Sequence, residues 1–516
     1  MLFNSYEFLF GFLPVCLAGF YLLARLGLLY ACTSWLTLAS LFFYGYWNPK
    51  YLFLLLASIV VNFYFGKAIS RLRHEGQARA SRQVLVIAVT ANLATLAYFK
   101  YANFFLESMR QFTGLDIPLA GIVLPLGISF FTFTQIAFLV DTNQGKASEP
   151  RFVPYALFVT YFPHLIAGPV LHHAEMMPQF GEKSTYRFQV ENFAIGVAFF
   201  LVGLFKKVVL ADEVQPFVGP VFEASPGYTL TMLEAWGGAL AYTLQLYFDF
   251  SGYSDMAIGL SKMFNVDLPL NFNSPYKAAS IIDFWRRWHM TLSRFLRDYL
   301  YFGLGGNRKG PVRRHANLLI TMLLGGLWHG AGWTFLIWGG VHGMLLVINH
   351  GWRHFRERWL GHDLERSSVA GHVAAVLVTF VCVVVAWVFF RATSLPAAFN
   401  VLRAMFGWNG FVFPVEWQAA LTGSLPAGMG DLWTFGSLDA FFGLRQCVWC
   451  GVLLAIVFFV PNSQTLIGRF ESALRSRGMK ANQWAWCATG FACTLVFVVA
   501  AINDSRGVSE FIYFNF

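Results

Sequence analysis

Charged residues are scarce in this chain, and their scarcity excludes an ordinary soluble protein. Asp, Glu, Lys and Arg make up 12% of the 516 residues, whereas 57% are hydrophobic. Soluble domains carry about a quarter charged residues. The chain also lacks a polar block between its apolar stretches that could form a soluble domain. The composition therefore predicts a single integral membrane domain over residues 1–516.

Cysteine is sparse and offers no metal or redox motif. The chain has seven cysteines, all in apolar stretches, and Cys447 and Cys450 alone have the CxxC spacing. A zinc site of this kind needs a second ligand pair, which the sequence lacks. We therefore expect no metal, no resident cofactor and no nucleic-acid partner.

Apolar segments of spanning length follow one another along the chain, and they predict an all-α, polytopic membrane bundle. A spanning helix needs roughly 20 apolar residues. The first segment lacks a basic start and a small-residue cleavage site, so we expect it to be retained. The segments lie near residues 6–23, 28–46, 51–69, 83–106, 119–140, 152–170, 192–210, 228–248, 316–350, 369–390, 442–461 and 483–502.

Lysine and arginine clusters between the segments predict the orientation of the spans. Such clusters occur at residues 67–82, 286–314, 353–358 and 469–480, and loops of this kind stay in the cytoplasm. Counting spans from these loops places both termini outside. The same count requires residues 315–350 to enter and leave on the cytoplasmic side.

His329 would then lie at a turn buried in the membrane, roughly 20 Å from the cytoplasmic face. Glycines at 325, 326, 330 and 332 permit such a turn. An ionisable side chain at this depth is costly and usually functional. A histidine can act as a general base near neutral pH; the alternative is a structural histidine bonded to a backbone carbonyl.

Residues 283–310 combine an apolar arc with arginines on the opposite side, which predicts an amphipathic helix at the membrane surface. A glycine-rich turn follows at 303–306, and backbone donors beside guanidinium groups suit phosphates. A phosphorylated cytoplasmic donor is therefore one interpretation, and a simple interfacial anchor is the other. His289, on the flank of this helix, is a possible second site residue. The candidate donor-binding residues are Arg286, Arg287, Arg294, Asn307 and Arg308.

A third polar group, QLYFDFSGYSDMAIG at residues 245–259, brings two carboxylates into an apolar span. Polar residues at such a position line a cavity for a hydrophilic substrate or form the ion path of a transporter. We predict that Asp249, Ser251, Tyr253 and Asp255 line a substrate tunnel, together with Trp328 beside the buried histidine.

Several long motifs resemble the membrane-bound O-acyltransferase family, in particular its bacterial branch typified by the alginate O-acetylase. They occur in the expected order, with the core motifs between residues 119 and 350, and the final third matches loosely. The motifs are PLGISFFTFTQIAFLVD, FPHLIAGPV, FDFSGYSDMAIG, FWRRWHMTLSRFLRDYLY, LGGNRKG and GGLWHGAGWTFLIWGGVHG.

The resemblance implies a bundle of about eleven or more spans, with re-entrant and interfacial helices, around a tunnel in a bacterial inner membrane. It implies catalytic roles for His329 and His289. It also implies acetyl-CoA as cytoplasmic donor, an extracellular alginate- or cellulose-type acceptor, and a periplasmic acetyltransferase and polysaccharide synthase complex as partners. Peptidoglycan acetylation and a non-enzymatic transporter, export or scaffold subunit remain alternatives.

The ending SEFIYFNF, within a tail at residues 503–516, is too apolar to stay in water. One interpretation is an aromatic anchor at headgroup level. The other is that the tail folds back into the outer funnel and carries Tyr513 towards His329. The ending resembles the aromatic, tyrosine-containing C-terminal motif of related acyl-export systems, which implies that Tyr513 carries the acyl group as a third catalytic residue.

Overall fold

The computed structural model of the protein is almost entirely helical, as predicted. It describes residues 1–224, 228–361, 363, 368–422, 434–477, 481–504 and 509–512. Two three-residue strands, Val412–Pro414 and Thr434–Gly436, pair in parallel.

Helices α1 to α21 follow in chain order, with short 3₁₀ or π-helical segments between some of them. They are Leu13–Arg25, Leu29–Gly45, Pro49–His74, Ala78–Leu96, Ala102–Thr113, Ile128–Gln144, Phe152–Thr160, His173–Met176, Val190–Phe205, Gly219–Phe222, Met232–Met263, Ile281–Arg287, Met290–Phe295, Gly310–His329, Trp333–Arg358, Val369–Arg391, Leu395–Met405, Gln418–Thr422, Gly443–Phe459, Ser463–Arg477 and Ala481–Asp504.

Six helical stretches of the described chain are long and apolar enough to cross a membrane, and α19 with α20, bent by 54°, would add a seventh. Other predicted spans correspond to helices that are shorter or less apolar, such as α2 with 17 residues. The stretches are Glu7–Arg25, Pro49–His74, Ala78–Thr113, Val190–Phe217, Val369–Arg391 and Gln483–Asn503.

The overlong apolar segment at 316–350 is a helical hairpin made by α14 and α15. Helix α14 ends at His329 and α15 begins at Trp333. The two helices touch at glycines: a Cβ on Gly339 would lie 2.3 Å from the carbonyl oxygen of Met322. The predicted buried turn is therefore present, and the glycines set how closely its two arms approach.

Helices α9 and α11 pack against each other in the same way. A Cβ on Gly203 would lie 2.5 Å from the carbonyl oxygen of Gly252, and one on Gly196 would lie 2.7 Å from that of Gly259. Small residues let membrane helices approach this closely. The contact brings the end of α9 beside the carboxylates of α11.

The predicted continuous amphipathic helix over 283–310 is wrong. Helix α12 ends at Arg287, α13 begins at Met290, and a π-helical segment, Leu296–Tyr301, follows. His289 at the break has φ 43° and ψ 53°, a left-handed conformation that costs a non-glycine residue about 1–2 kcal/mol. The periodicity was correct for the buried face, because Phe284, Trp288 and Leu292 are all buried.

Candidate active site

His329 is enclosed by aromatic rings at the turn of the hairpin. It is the last residue of α14 and is 3% exposed. Its ring lies 5.1 Å from that of Trp338 and 5.2 Å from that of Phe390, both edge-on, and 4.9 Å from that of Trp328. The surroundings exclude bulk water, so a proton or a developing charge at this ring would be handled by protein groups alone.

Lys100 fixes the backbone of the hairpin turn, and the sequence analysis missed it. This buried lysine lies in a π-helical segment, Ala97–Tyr101, between α4 and α5. Its Nζ donates to the carbonyl oxygens of Trp328 and His329, the latter at 3.2 Å, and to Ser129 Oγ at 3.0 Å. A lone lysine in the apolar stretch 83–106 was the signal that could have identified it.

His289, the second predicted catalytic residue, lies next to His329. The two ring centroids are 6.3 Å apart. His289 is fully buried, not on the flank of a surface helix, because the break between α12 and α13 turns it inward. The ring also packs edge-on against Phe250 of α11, with centroids 4.8 Å apart. The structure thus brings the two histidines together from segments 40 residues apart in the chain.

Asn271 determines which nitrogen of His289 carries the proton in the neutral ring. Asn271 Oδ1 accepts from Thr291 Oγ1 at 2.9 Å and lies 3.0 Å from His289 Nδ1. A carbonyl oxygen accepts only, so Nδ1–H is the donor and Nε2 is the basic nitrogen. Asn271 opens the polar segment NFNSPY at residues 271–276, and its role was not predicted from the sequence.

A cationic cavity of about 480 Å³ lies beside the hairpin on the side away from its turn. Arg286, Arg297 and Arg314 line it, with Asn307. Trp285 also lines it, and its ring packs 5.9 Å from that of Trp338, which touches His329. Two tryptophans thus separate this cationic cavity from the buried histidine.

The predicted donor-binding residues divide into two groups. Arg286 and Asn307 line the cationic cavity. Arg287 instead pairs with Asp283 at 2.9 Å, and both guanidinium nitrogens of Arg294 bind Glu175 at 2.6 and 2.8 Å. Arg308 is exposed. Arg297 and Arg314 were not predicted, although both lie in the basic region that the sequence singled out.

A second cavity, of about 360 Å³, lies at the start of helix α6 and is called the outer cavity below, after the orientation predicted from the sequence. Ser129, in the first turn of α6, lines it and also binds Lys100. Near the other end of α6, Asp141 accepts a hydrogen bond from Tyr299, which follows α13. The turn with His329 therefore lies between the cationic cavity and the outer cavity.

The predicted tunnel residues, four on α11 and Trp328 on α14, are buried in specific contacts. Asp249 pairs with Lys207 at 2.8 Å, and Asp255 pairs with Lys206 at 2.6 Å. Ser251 Oγ lies 3.5 Å from Lys206 Nζ. The remaining two residues lie in ring contacts: Tyr253 with Phe3 and Phe511, and Trp328 with Phe130 and Phe133. Their lining of a tunnel stays a prediction.

The C-terminal tail returns into the protein over residues 509–512. Phe511 is fully buried, with its ring centroid 4.9 Å from that of Tyr253, and Asn4 donates to the carbonyl oxygen of Ser509. This part of the tail is therefore held against the protein, and the anchor and fold-back interpretations both stay predictions for the residues that follow it. Tyr513 itself lies outside the described residues.

The chain is similar to known proteins over most of its length. The sequence model of the membrane-bound O-acyltransferase family matches residues 41–390. A peptidoglycan O-acetyltransferase of Helicobacter pylori is 39% identical over 547 aligned positions, covering 100% of this chain and 98% of that protein. A probable alginate O-acetylase of Pseudomonas aeruginosa is 42% identical, covering 86% of this chain and 82% of its own.

The chain belongs to the membrane-bound O-acyltransferase family. It is therefore a multi-pass membrane enzyme that transfers an acyl group to a hydroxyl. A teichoic acid D-alanyltransferase of Streptococcus thermophilus is a more distant relative, 26% identical over 47% of this chain and 61% of that protein. Transporter and scaffold roles, which the sequence alone left open, are not favoured by these relatives.

Proposed function

We propose that the protein takes acetyl from cytoplasmic acetyl-CoA and moves it across the bacterial inner membrane, with both termini outside, for O-acetylation of an extracellular alginate- or cellulose-type polysaccharide. The observation that carries the proposal is the position of His329, buried at a hairpin turn between the cationic cavity and the outer cavity. The relatives named as O-acetylases of extracellular polymers support the same function.

In this proposal, Arg286 and Arg314 hold the phosphates of the donor, whereas Arg297, in the same cavity, pairs with Asp298. Guanidinium groups bind phosphate oxygens through paired, charge-assisted hydrogen bonds. The thioester then passes the tryptophans towards His329. Placing the reacting groups together in a dry site removes much of the entropic barrier to reaction.

His329 acts as the general base for an acceptor hydroxyl that enters through the outer cavity. As the proton moves to a ring nitrogen, the hydroxyl oxygen bonds to the acetyl carbonyl carbon. The carbon–sulfur bond then breaks, and the proton passes to the departing thiolate of CoA. A positioned base of this kind contributes about 10² to 10⁴ in rate. His289, oriented by Asn271, assists from 6.3 Å between ring centroids.

Peptidoglycan O-acetylation is the second candidate. The relative named for that activity aligns with 100% of this chain and 98% of its own length, whereas the Pseudomonas aeruginosa relative named for alginate covers 86% and 82%. In either case, we propose that a separate periplasmic acetyltransferase, within a polymer synthase complex, completes delivery.

The test is incubation of the purified protein with radiolabelled acetyl-CoA and three sets of acceptors: alginate oligosaccharides, cellulose oligosaccharides and peptidoglycan fragments. CoA release and label transfer above the His329→Ala background are expected, and the preferred acceptor identifies the substrate class. Binding of acetyl-CoA without CoA release, with every acceptor and with the partner transferase added, would contradict the proposal.

A further inference from the structure

Lys207, Asp212 and Asp249 form an ion-paired cluster between helix α11 and the segment that follows α9. Lys207 Nζ lies 2.8 Å from Asp249 Oδ1 and 2.9 Å from Asp212 Oδ1. Lys207 and Asp249 are each 1% exposed. Buried charges are costly unless all their hydrogen-bonding capacity is used. Lys207 has one further N–H donor, and each aspartate has one further oxygen that can accept. The three residues are called the Lys207 cluster below.

The C-terminal tail satisfies them. The third donor of Lys207 goes to the carbonyl oxygen of Glu510 at 2.9 Å. The second oxygen of Asp249 accepts from the backbone N–H of Ile512 at 3.0 Å, and that of Asp212 accepts from Ser509 Oγ at 2.7 Å. Each member of the cluster therefore has one bond to the tail.

Phe511 of the tail packs against both Lys207 and Tyr253. Its ring lies under Lys207 Nζ, which is 4.9 Å from the ring centroid, and packs edge-on against Tyr253. A cation over an aromatic face contributes about 0.5–2 kcal/mol, the larger value when it is desolvated. The tail is thus recognised through its backbone, one hydroxyl and one aromatic ring.

The Lys207 cluster and the active site share helix α11. Asp249 is followed by Phe250, whose ring packs 4.8 Å from that of His289. Lys207 belongs to a π-helical segment, Lys206–Ala211, and such segments are common at functional sites. A tail held at Asp249 is therefore held on the helix that contacts His289, and Glu510 of the tail lines the outer cavity.

We propose that the Lys207 cluster is the seat of the C-terminal tail and positions the end of the chain for acyl transfer. Of this cluster, the sequence singled out only Asp249, and in the structure its carboxylate binds Lys207 and the backbone of Ile512. The positioning role rests on the proposed acetyl transfer, whereas the seat itself does not.

The test removes one tail donor and leaves the cluster intact. Ile512→Pro deletes the N–H that binds Asp249, and Ile512→Ala, the matched control, keeps it. Both variants, and the parent, carry Phe511→Cys, whose thiol reports on exposure of the tail to a hydrophilic maleimide. Labelling is read by mass spectrometry on the tryptic peptide that follows Arg506, which separates this reporter thiol from the native cysteines.

We expect the reporter thiol to be labelled at least about tenfold faster in Ile512→Pro than in Ile512→Ala, with a parallel loss of acetyl transfer. Lys207→Met should have the same effect. Lys206→Met is its control, because Lys206 binds Asp255, Ser251 and Ser463 and no described tail residue.

Equal protection of the reporter thiol in the proline and alanine variants would contradict the proposal that the Lys207 cluster holds the tail. Faster labelling with undiminished transfer would overturn the positioning role. Wild-type protein that releases no CoA from acetyl-CoA, with the reporter thiol still protected in the parent variant, would contradict the proposed function alone, so the two failures can be distinguished.

Discussion

The Nζ atom of Lys100 donates a hydrogen bond to the backbone carbonyl oxygen of His329, 3.2 Å away. This carbonyl ends helix α14, and the last carbonyls of a helix have no partner within it. A basic group at a helix C-terminus also interacts favourably with the helix dipole. Lys100 therefore joins the span before α5 to the hairpin turn and holds the catalytic backbone in place.

Lys100→Met should lower the rate of acetyl transfer by about 10- to 100-fold while changing the donor KM little. The methionine fills similar space but leaves the turn free to shift, and a displacement of about 1 Å can cost about 10² in rate. Initial rates with labelled acetyl-CoA measure the effect.

Tyr101→Phe is a graded control for this prediction. Its hydroxyl donates to the carbonyl oxygen of Leu327, slightly earlier in α14, at 2.8 Å. We expect a smaller loss of rate and a similar loss of thermal stability in detergent. Equal rates in the two variants would show that Lys100 stabilises the helix end and does not position the histidine.

His329→Ala should abolish acetyl transfer and leave the protein inserted and folded. The ring occupies an aromatic cage, so the cavity left by alanine is costly but confined to one site. Gel filtration in detergent and a melting curve verify folding, and CoA release measures activity. A variant that keeps a tenth or more of normal activity would rule out His329 as the essential base.

Asn271→Leu should reduce kcat by about 10- to 100-fold, with acetyl-CoA binding nearly unchanged. The change removes the acceptor that His289 Nδ1 and Thr291 share, and each unsatisfied buried polar group costs about 1–3 kcal/mol. Asn273→Ala, on the same polar turn, is the control, because its side chain binds Asn462 and not a histidine. Matching kcat values for the two variants would argue against an orienting role.

Arg286→Ala should raise the KM for acetyl-CoA by about tenfold or more, whereas Arg287→Ala should change it far less. Arg286 lines the cationic cavity, and Arg287 is paired with Asp283. A charge-assisted hydrogen bond contributes about 1.5–3 kcal/mol. Initial rates over a range of acetyl-CoA concentrations separate KM from kcat. If both variants shift KM alike, the donor contacts this helix broadly and not through the cavity.

The sequence predicted those features that depend on composition and on local pattern. Low charge and repeated apolar segments predicted a helical membrane bundle. Positive charges and glycines predicted a hairpin whose turn lies at His329. The motifs identified both histidines. These signals suffice because a membrane leaves few solutions for an apolar chain.

Features that depend on contacts between distant segments could not be predicted. The left-handed backbone at His289, which breaks the amphipathic helix, is held by tertiary partners such as the carbonyl oxygen of Asn271, to which Met290 N–H donates. The pairing of Asp249 with Lys207 joins residues 42 positions apart. The sequence marked Asp249 and Asp255 as unusual but gave no means of finding the lysines that pair with them.

Tyr513→Phe should block polymer acetylation nearly as fully as loss of His329, while CoA release by the first transfer is also suppressed. The change keeps the ring and removes the hydroxyl that, as the resemblance implies, accepts acetyl as an ester and passes it on. An acetyl-tyrosine intermediate would divide one transfer across about 30 Å of membrane into two shorter steps. The preceding residues 509–512 are bound at the Lys207 cluster.

Tyr6→Phe is the matched control. It also removes a tyrosine hydroxyl, one that donates to Asn503, a residue ten positions before Tyr513. Mass spectrometry of the C-terminal tryptic peptide, taken from protein quenched during turnover, should find an acetyl group on Tyr513. Full polymer acetylation by the Tyr513→Phe variant would contradict the carrier role and favour the anchor interpretation. The hydroxyl of the final acceptor would then react directly at His329.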